Sequence, residues 1–321
     1  MLSAKKVILA HLTMINIHSL DIFTKEDVRI INPENFIPVT NAKPITAADK
    51  DSLVFVAETA IEKEKLIQDT MATTIISDCI PSDALIYKDK CLIITSNPKL
   101  LFAKTVNSGL QNNFVWGIHP SAVIHPDAKI AQNVFIGPHV CIGKSEIGGH
   151  TIIHANVSIY DNVKIGRNVI IDSGAVIGAA GFGFVRDNDG VPHMFPQLGG
   201  VLIEDDVEIG ANACIDRGAL EDTIIRKGAK IDNLVHIAHN VEIGRYTYVI
   251  SQTVIAGSTK IGEKCWIAPS SILNKIKIGD NVTIGFGSVV LKSVPSGETY
   301  LGNPALPIEK YSKIQYKLKK L

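Results

Sequence analysis

From Ile118 onward a bulky aliphatic residue returns at every sixth position. Ile118, Ile124, Ile130, Ile136 and Ile142 open the series, a five-residue step leads to Ile147, and Ile153, Ile159, Ile165, Ile171 and Ile177 continue it. The frame resumes at Ile203, Ile209 and Ile215. It then runs through Ile225, Ile231, Ile237, Ile243, Val249, Ile255, Ile261 and Ile267 to Leu273, and a second five-residue step gives Ile278, Ile284 and Val290. A period of six matches neither the 3.6-residue helical turn nor the two-residue alternation of a long strand. It matches a parallel β-helix of triangular section, with one short strand per six residues and three per coil. The aliphatics stack inside, and the glycine that often follows them eases the corner.

The pattern divides the chain. Residues 1–112 lack the repeat: SLVFVA, ATTIISD and CLIITS read as short buried strands, AIEKEKLIQD and PKLLFAKTVNSGL as helices, the latter capped by Asn97 with Pro98 in its first turn. This predicts a small α/β domain, linked near Gln111–Trp116 to a β-helix spanning 113–294. The β-helix frame breaks at 178–202, a Gly- and aromatic-rich excursion of the kind that carries function on a rigid scaffold, and briefly at Asp216–Ile224. Residues 295–321 form a Pro/Gly-marked exit followed by a short helix rich in lysine.

Composition narrows the chemistry. The 321 residues are 46% hydrophobic but only 6% aromatic, which suits stacked branched aliphatics. Thirty-two basic residues balance thirty-two acidic ones, so the excess expected of a nucleic-acid binder is missing. The five cysteines are scattered without CxxC and read as reduced thiols of a cytoplasmic protein. No apolar run reaches the roughly 20 residues of a membrane helix, so membrane contact is at most peripheral. The apolar N-terminus lacks a clear cleavage site and reads as a folded start rather than a signal peptide.

The densest polar constellation is KIDNLVHIAHNVEIG, where Asp232, Asn233, His236, His239 and Asn240 fall within nine residues. His236 and His239 flank Ile237 and should point in different directions around a corner. H-x-x-H on a β-helix lacks the helical face that would converge a zinc set, so no metal is expected. A neutral histidine suits the role of general base for an amine or hydroxyl nucleophile. Gly257, two coil faces later, can offer a backbone N–H to a developing oxyanion. Gln197 and Phe182, in the excursion, are further candidates for substrate contact.

The repeats resemble those of the left-handed β-helix acyltransferases. VIGAAGFGF (176–184), PQLGGVLIEDDVEIGANACIDRGALEDT (196–223) and KIDNLVHIAHNVEIG (230–244) resemble the UDP-3-O-(3-hydroxyacyl)glucosamine N-acyltransferase family of lipid A synthesis. ITAADKDSLVFVAE and SNPKLLFAK resemble its uridine-binding domain. The resemblance implies a left-handed coil and a homotrimer. It implies His239 as the base that deprotonates a sugar amine, Asp232 as an acid orienting the site, the Gly257 amide as oxyanion donor, Asn233, His236 and Asn240 as cleft residues, and Phe55 as the ring stacked on uracil. No tightly bound cofactor is implied; the co-substrate is an acyl group on acyl carrier protein, which Lys313, Lys317 and Lys320 of the basic tail would help to dock.

The chain departs from the family pattern at several places. Ala180 replaces an aspartate, LNKIKIG (273–279) lacks the second histidine of the family and is about one residue short, with Lys275 nearest that place, and Glu58 and Ile61 stand where an Asn and a Tyr are typical. LGNPA (301–305) is similar to the exit turn of coenzyme A-dependent hexapeptide acetyltransferases. These changes spare base and oxyanion donor and alter substrate-facing groups. They motivate an alternative: acylation of another nucleotide-linked amino sugar of a surface glycan, from acyl-CoA or a carrier protein. A non-enzymatic scaffold and a carbonic anhydrase-like metal protein are the readings from other classes, the first disfavoured by the polar cluster, the second by the want of three convergent histidines.

Overall fold

The computed structural model describes residues 28–109 and 116–319. The expected N-terminal start, most of the linker and Lys320 lie outside them. The chain separates into two compact units, Met1–Phe114 and Val115–Leu321.

In the first unit a five-stranded sheet runs in the order Arg29–Ile31, Cys91–Ile94, Thr74–Ser77, Ser52–Phe55 and Asn41–Ala42. The first strand is antiparallel to its neighbour and the others are parallel. The three apolar runs form the central strands, as expected of segments buried on both faces. The two outer strands are short and half-buried, which is why no apolar run marks them. Helices Lys63–Asp69 and Pro98–Gly109 form where expected, and the Asn97 side chain accepts the Leu100 N–H at 2.9 Å as the N-cap of the second. Phe55, half-buried at the end of its strand, packs on Phe102 of that helix with ring centroids 4.8 Å apart.

The second unit is a left-handed parallel β-helix. Among the described residues its coils build three sheets, of nine, eight and eleven strands. Register is kept by the aliphatic column: Ile142, Ile159, Ile177, Ile215, Ile237, Ile255, Ile272 and Val290 stack on the nine-stranded face. Each strand turns a second residue inward two places before the aliphatic, as the two-residue alternation demands. That position holds a smaller group, such as Val157, Ala175, Ala213, Val235 or Thr253, all fully buried or nearly so. One large and one small inward residue per strand fill the narrow prism. Each fully buried isoleucine contributes about 1.5–3 kcal/mol.

Three expectations change. At the second five-residue step the inward residue is Ile272, 1% exposed, and not Leu273, 44% exposed, so the short step falls between Ile267 and Ile272. The coil begins loosely, with Ile118 exposed and Ile124 and Ile130 half-buried for want of a coil beneath them. The corner turns left-handed at the residue three places before the aliphatic, among them Asn156, Asn168, Asn212 and Asn240, rather than at the glycine after it. Asparagine tolerates this conformation best among residues with a side chain. The following glycines answer to close stacking: a Cβ on Gly244 would strike the Gly262 carbonyl of the next coil.

The excursion leaves the nine-stranded face after Val176–Ala179 and carries an antiparallel pair, Phe184–Arg186 with Pro192–Met194. Its return packs on the second break: the Ala219 carbonyl accepts the Leu198 N–H at 2.6 Å, and Asp222 accepts the Gly200 N–H at 2.7 Å. The coil closes through Thr299–Leu301 and Leu306–Pro307, and helix Ile308–Leu318 packs on both. Among the described residues no helix is long and apolar enough to cross a membrane.

Candidate active site

His239 lies where the nine-stranded face turns into the eight-stranded one, two places after Ile237 and immediately before the left-handed Asn240. Its Nδ1 is 3.0 Å from Asn240 Oδ1. The Asn240 amide is held on every side: Nδ2 donates to the Glu221 carbonyl at 3.1 Å, Oδ1 accepts the Ala219 N–H at 3.0 Å, and the backbone N–H donates to buried Thr223 Oγ1 at 2.9 Å. With Nδ2 spent on a carbonyl, Oδ1 is the atom facing the imidazole and can only accept. Neutral His239 therefore carries its proton on Nδ1 and presents the lone pair at Nε2.

Two glycines enclose the ring. A Cβ on Gly257, one coil further on, would lie 2.7 Å from both Nε2 and Cε1; a Cβ on Gly181, in the excursion, would lie 2.8 Å from His239 Cβ and 3.0 Å from Cδ2. Among the described residues no acceptor takes the Gly257 N–H, while its carbonyl accepts from the Lys275 N–H at 3.0 Å. Lys275, exposed and left-handed, is thus stacked one coil beyond Gly257. A lone-pair nitrogen beside an unengaged backbone N–H is a base next to an anion donor.

The acid at this site is Asp216, in IDRGAL. It is 6% exposed, and burial holds its carboxyl above the usual carboxylate range against the opposing pull of His236 and, more weakly, His239. His236 Nε2 lies 3.8 Å from Asp216 Oδ2, on the outer surface of the nine-stranded face. Nothing in the spacing pointed to Asp216; the signal available was the place directly after inward Ile215, where the strand enters the second break. Gly181 was missed for a similar reason, since the contact crosses 58 residues of chain. Arg217 fastens the base of the excursion, its Nε donating to the Gly178 carbonyl at 2.9 Å and its guanidinium also reaching the Asp161 carbonyl.

Asp232 and Asn233 sit at the other end of strand His236–Ile237, where the eleven-stranded face meets the nine-stranded one. Asp232 accepts the Asn233 and Ser251 N–H groups at 2.7 and 3.1 Å, and Asn233 Oδ1 accepts the Ala211 N–H at 2.6 Å. Both side chains tie one coil to its neighbours. The short spacing in IDNLVHIAHN therefore spans two corners of the prism, with Asp232 and Asn233 at one and His239 and Asn240 at the other. Gln197 donates to the Phe195 carbonyl at 3.1 Å and leaves its buried Oε1 unpaired, while Phe182 is 88% exposed and 5.0 Å from Phe184, ring to ring. Phe55 belongs to the first unit. Lys313 and Lys317 are exposed on the C-terminal helix.

The bacterial transferase hexapeptide model matches residues 144–179 and 258–292. The chain is 39% identical over 140 residues to the UDP-3-O-acylglucosamine N-acyltransferase of Caulobacter sp. (strain K31), covering 43% of this chain and 41% of that protein. It is 42% identical over 134 residues to that of Bordetella avium (strain 197N), covering 40% and 37%. The chain thus carries hexapeptide repeats and is similar to the UDP-3-O-acylglucosamine N-acyltransferases. It spans about two fifths of the length of those curated relatives. Among solved structures it is similar to UDP-N-acetylglucosamine O-acyltransferase from Moraxella catarrhalis, with a TM-score of 0.54, 28% identity, and coverage of 59% of this chain and 73% of that one. The proteins it resembles thus include enzymes named for acyl transfer to nitrogen and to oxygen.

Proposed function

We propose that the protein is an N-acyltransferase that moves an acyl group, 3-hydroxylated in the implied substrate, from an acyl carrier protein thioester to the amine of UDP-3-O-acylglucosamine. The observation that carries this reading is the stacking of Gly257, whose N–H meets no acceptor among the described residues, against His239 Nε2, fixed as the lone-pair nitrogen by Asn240, in a chain similar to enzymes named for that reaction. The sugar amine attacks the thioester carbonyl, His239 Nε2 takes the amine proton, and the Gly257 N–H steadies the tetrahedral oxyanion. Collapse expels the thiolate, which recovers the proton from His239, so one amide forms as one thioester breaks. Asp216 places negative charge near the imidazolium formed midway. A homotrimer in the cytoplasm, as the resemblance implies, would bring a second copy's face alongside this corner.

The second reading, another nucleotide-linked amino sugar with acyl-CoA as donor, is favoured by one observation: an exposed lysine, Lys275, stands over Gly257. The test is turnover of purified protein with a panel of nucleotide amino sugars and both donors, products read by mass, for the wild type and His239→Ala. Loss of about 10²–10⁴-fold in kcat is expected for the variant. Wild-type turnover by His239→Ala would remove His239 as the base, and product from acyl-CoA alone on a different sugar would replace the first reading with the second.

A further inference from the structure

Cys214, Asp216 and His236 converge on the outer surface of the nine-stranded face. Cys214 and Asp216 flank inward Ile215 on one strand, so both side chains leave the same side of the sheet. His236 is the register partner of Cys214 in the next coil. The Cys214 Sγ lies 3.8 Å from Asp216 Oδ1, His236 Nε2 lies 3.8 Å from Asp216 Oδ2, and one ligand atom of each residue falls within 4.8 Å of the other two.

We propose that these three residues bind one thiophilic divalent transition metal ion of the zinc class. Tetrahedral ligands at about 2.0 Å for N and O and about 2.3 Å for S stand about 3.3–3.7 Å from one another. The three groups are therefore within a small side-chain rotation of a ligand set, leaving a fourth position open beside half-exposed His236. The donors select the ion: thiolate and imidazole favour zinc, cobalt or copper over calcium and magnesium, which want oxygen alone. A second observation points to a cation. The Asp216 side chain is only 9% exposed, yet among the described residues its carboxylate receives a single hydrogen bond, from a thiol at 3.8 Å, and its nearest basic group is equally far. A buried anion so poorly compensated is costly, and a metal ion between the three groups would neutralise it. The H-x-x-H spacing that spoke against zinc concerned His236 with His239; the set found here uses His236 with the preceding coil instead. Bound metal would cancel the Asp216 charge that otherwise acts on His239 and so tie the electrostatics of that corner to metal supply.

Cobalt absorption tests the assignment without any turnover, so its outcome is independent of the acyltransferase reading. Metal-stripped full-length protein is titrated with Co²⁺ alone. A thiolate-to-cobalt charge-transfer band saturating at one equivalent per chain, and displaced by Zn²⁺, is expected. Cys214→Ser should abolish the band, and His236→Gln should weaken Co²⁺ binding by about 10-fold or more. Cys141→Ser removes an exposed thiol on the same face and should change neither. Circular dichroism confirms that each variant is folded. Absence of the band in the wild type, its survival in folded Cys214→Ser, or its loss in Cys141→Ser overturns the proposal.

Discussion

The Oδ1 atom of Asn240 accepts from two donors at 3.0 Å, the Ala219 N–H and His239 Nδ1, so a backbone corner residue fixes the tautomer of the imidazole beside it. Asn240 does this because the corner requires a left-handed residue there, with φ 59°, and the amide that tolerates the turn also reaches the histidine. Replacement by Gly keeps the turn and deletes the acceptor. Asn240→Gly should lower kcat by about 10–100-fold with the nucleotide-sugar KM little changed, in line with loss of a ligand-orienting partner. Asn240→Asp should recover most of the rate and shift the acid limb of the kcat/KM profile upward, because a carboxylate beside Nδ1 favours the protonated ring. A profile unmoved by Asp would show that the contact does not tune His239.

Gly257 and Gly244 are both crowded, but against different neighbours. The Cβ of Gly257→Ala would press on the His239 ring at 2.7 Å, and that of Gly244→Ala would press on a backbone carbonyl in the next coil. A side chain can rotate where a stacked backbone cannot. Gly257→Ala should therefore lose most activity while its melting temperature falls little, and Gly244→Ala should lose stability by about 1–3 kcal/mol. Equal melting shifts in the two variants would refute the distinction.

The hexad made the coil legible because a strictly repeated inward position leaves the same residue type at the same interval. What it left unread follows from geometry between coils. The place of the five-residue step is ambiguous in SSILNKIKIG, since Ile272 and Leu273 are adjacent aliphatics, and it is settled only by the pairing of Ile272 with Ile255 and Val290. Ile272→Ala should cost about 2–5 kcal/mol as a buried truncation. Leu273→Ala should stay within about 0.5 kcal/mol. Denaturant melts of the two variants decide it, and the reverse order would restore Leu273 to the core. The site divides in the same way. His239, Asn240 and Gly257 were visible because each keeps a fixed place in the hexad, but Gly181 and Asp216 enter through the two breaks, where the period says nothing about which residues meet.

The terminal helix presents Lys310, Lys313 and Lys317 to solvent, with Glu309 the single acid in its first turn. Charge reversal at these three positions should slow turnover with an acyl carrier protein donor by about 10-fold or more at low salt, with the difference shrinking as salt rises, since steering of an acidic partner is screened. Turnover with acyl-CoA should change far less. Equal loss with both donors, or loss that ignores salt, would detach the helix from carrier docking.

Asp216 is buried with its carboxyl held above the usual range, so the folded state binds its proton more tightly than the unfolded chain does. The sign follows: whatever stability the protonated form contributes is complete below the unfolded value of 3.8 and is lost as pH rises through the folded value, leaving a destabilising carboxylate at neutral pH. Asp216→Asn keeps the shape and removes the charge. With a chelator present throughout, the variant should melt higher than the wild type at pH 7.5, by about 2–4 °C for each kcal/mol recovered, and the advantage should vanish near pH 4. A variant that melts lower at pH 7.5 under chelation would mean that the charge itself is supported in the fold, through His236 or His239, more strongly than burial opposes it.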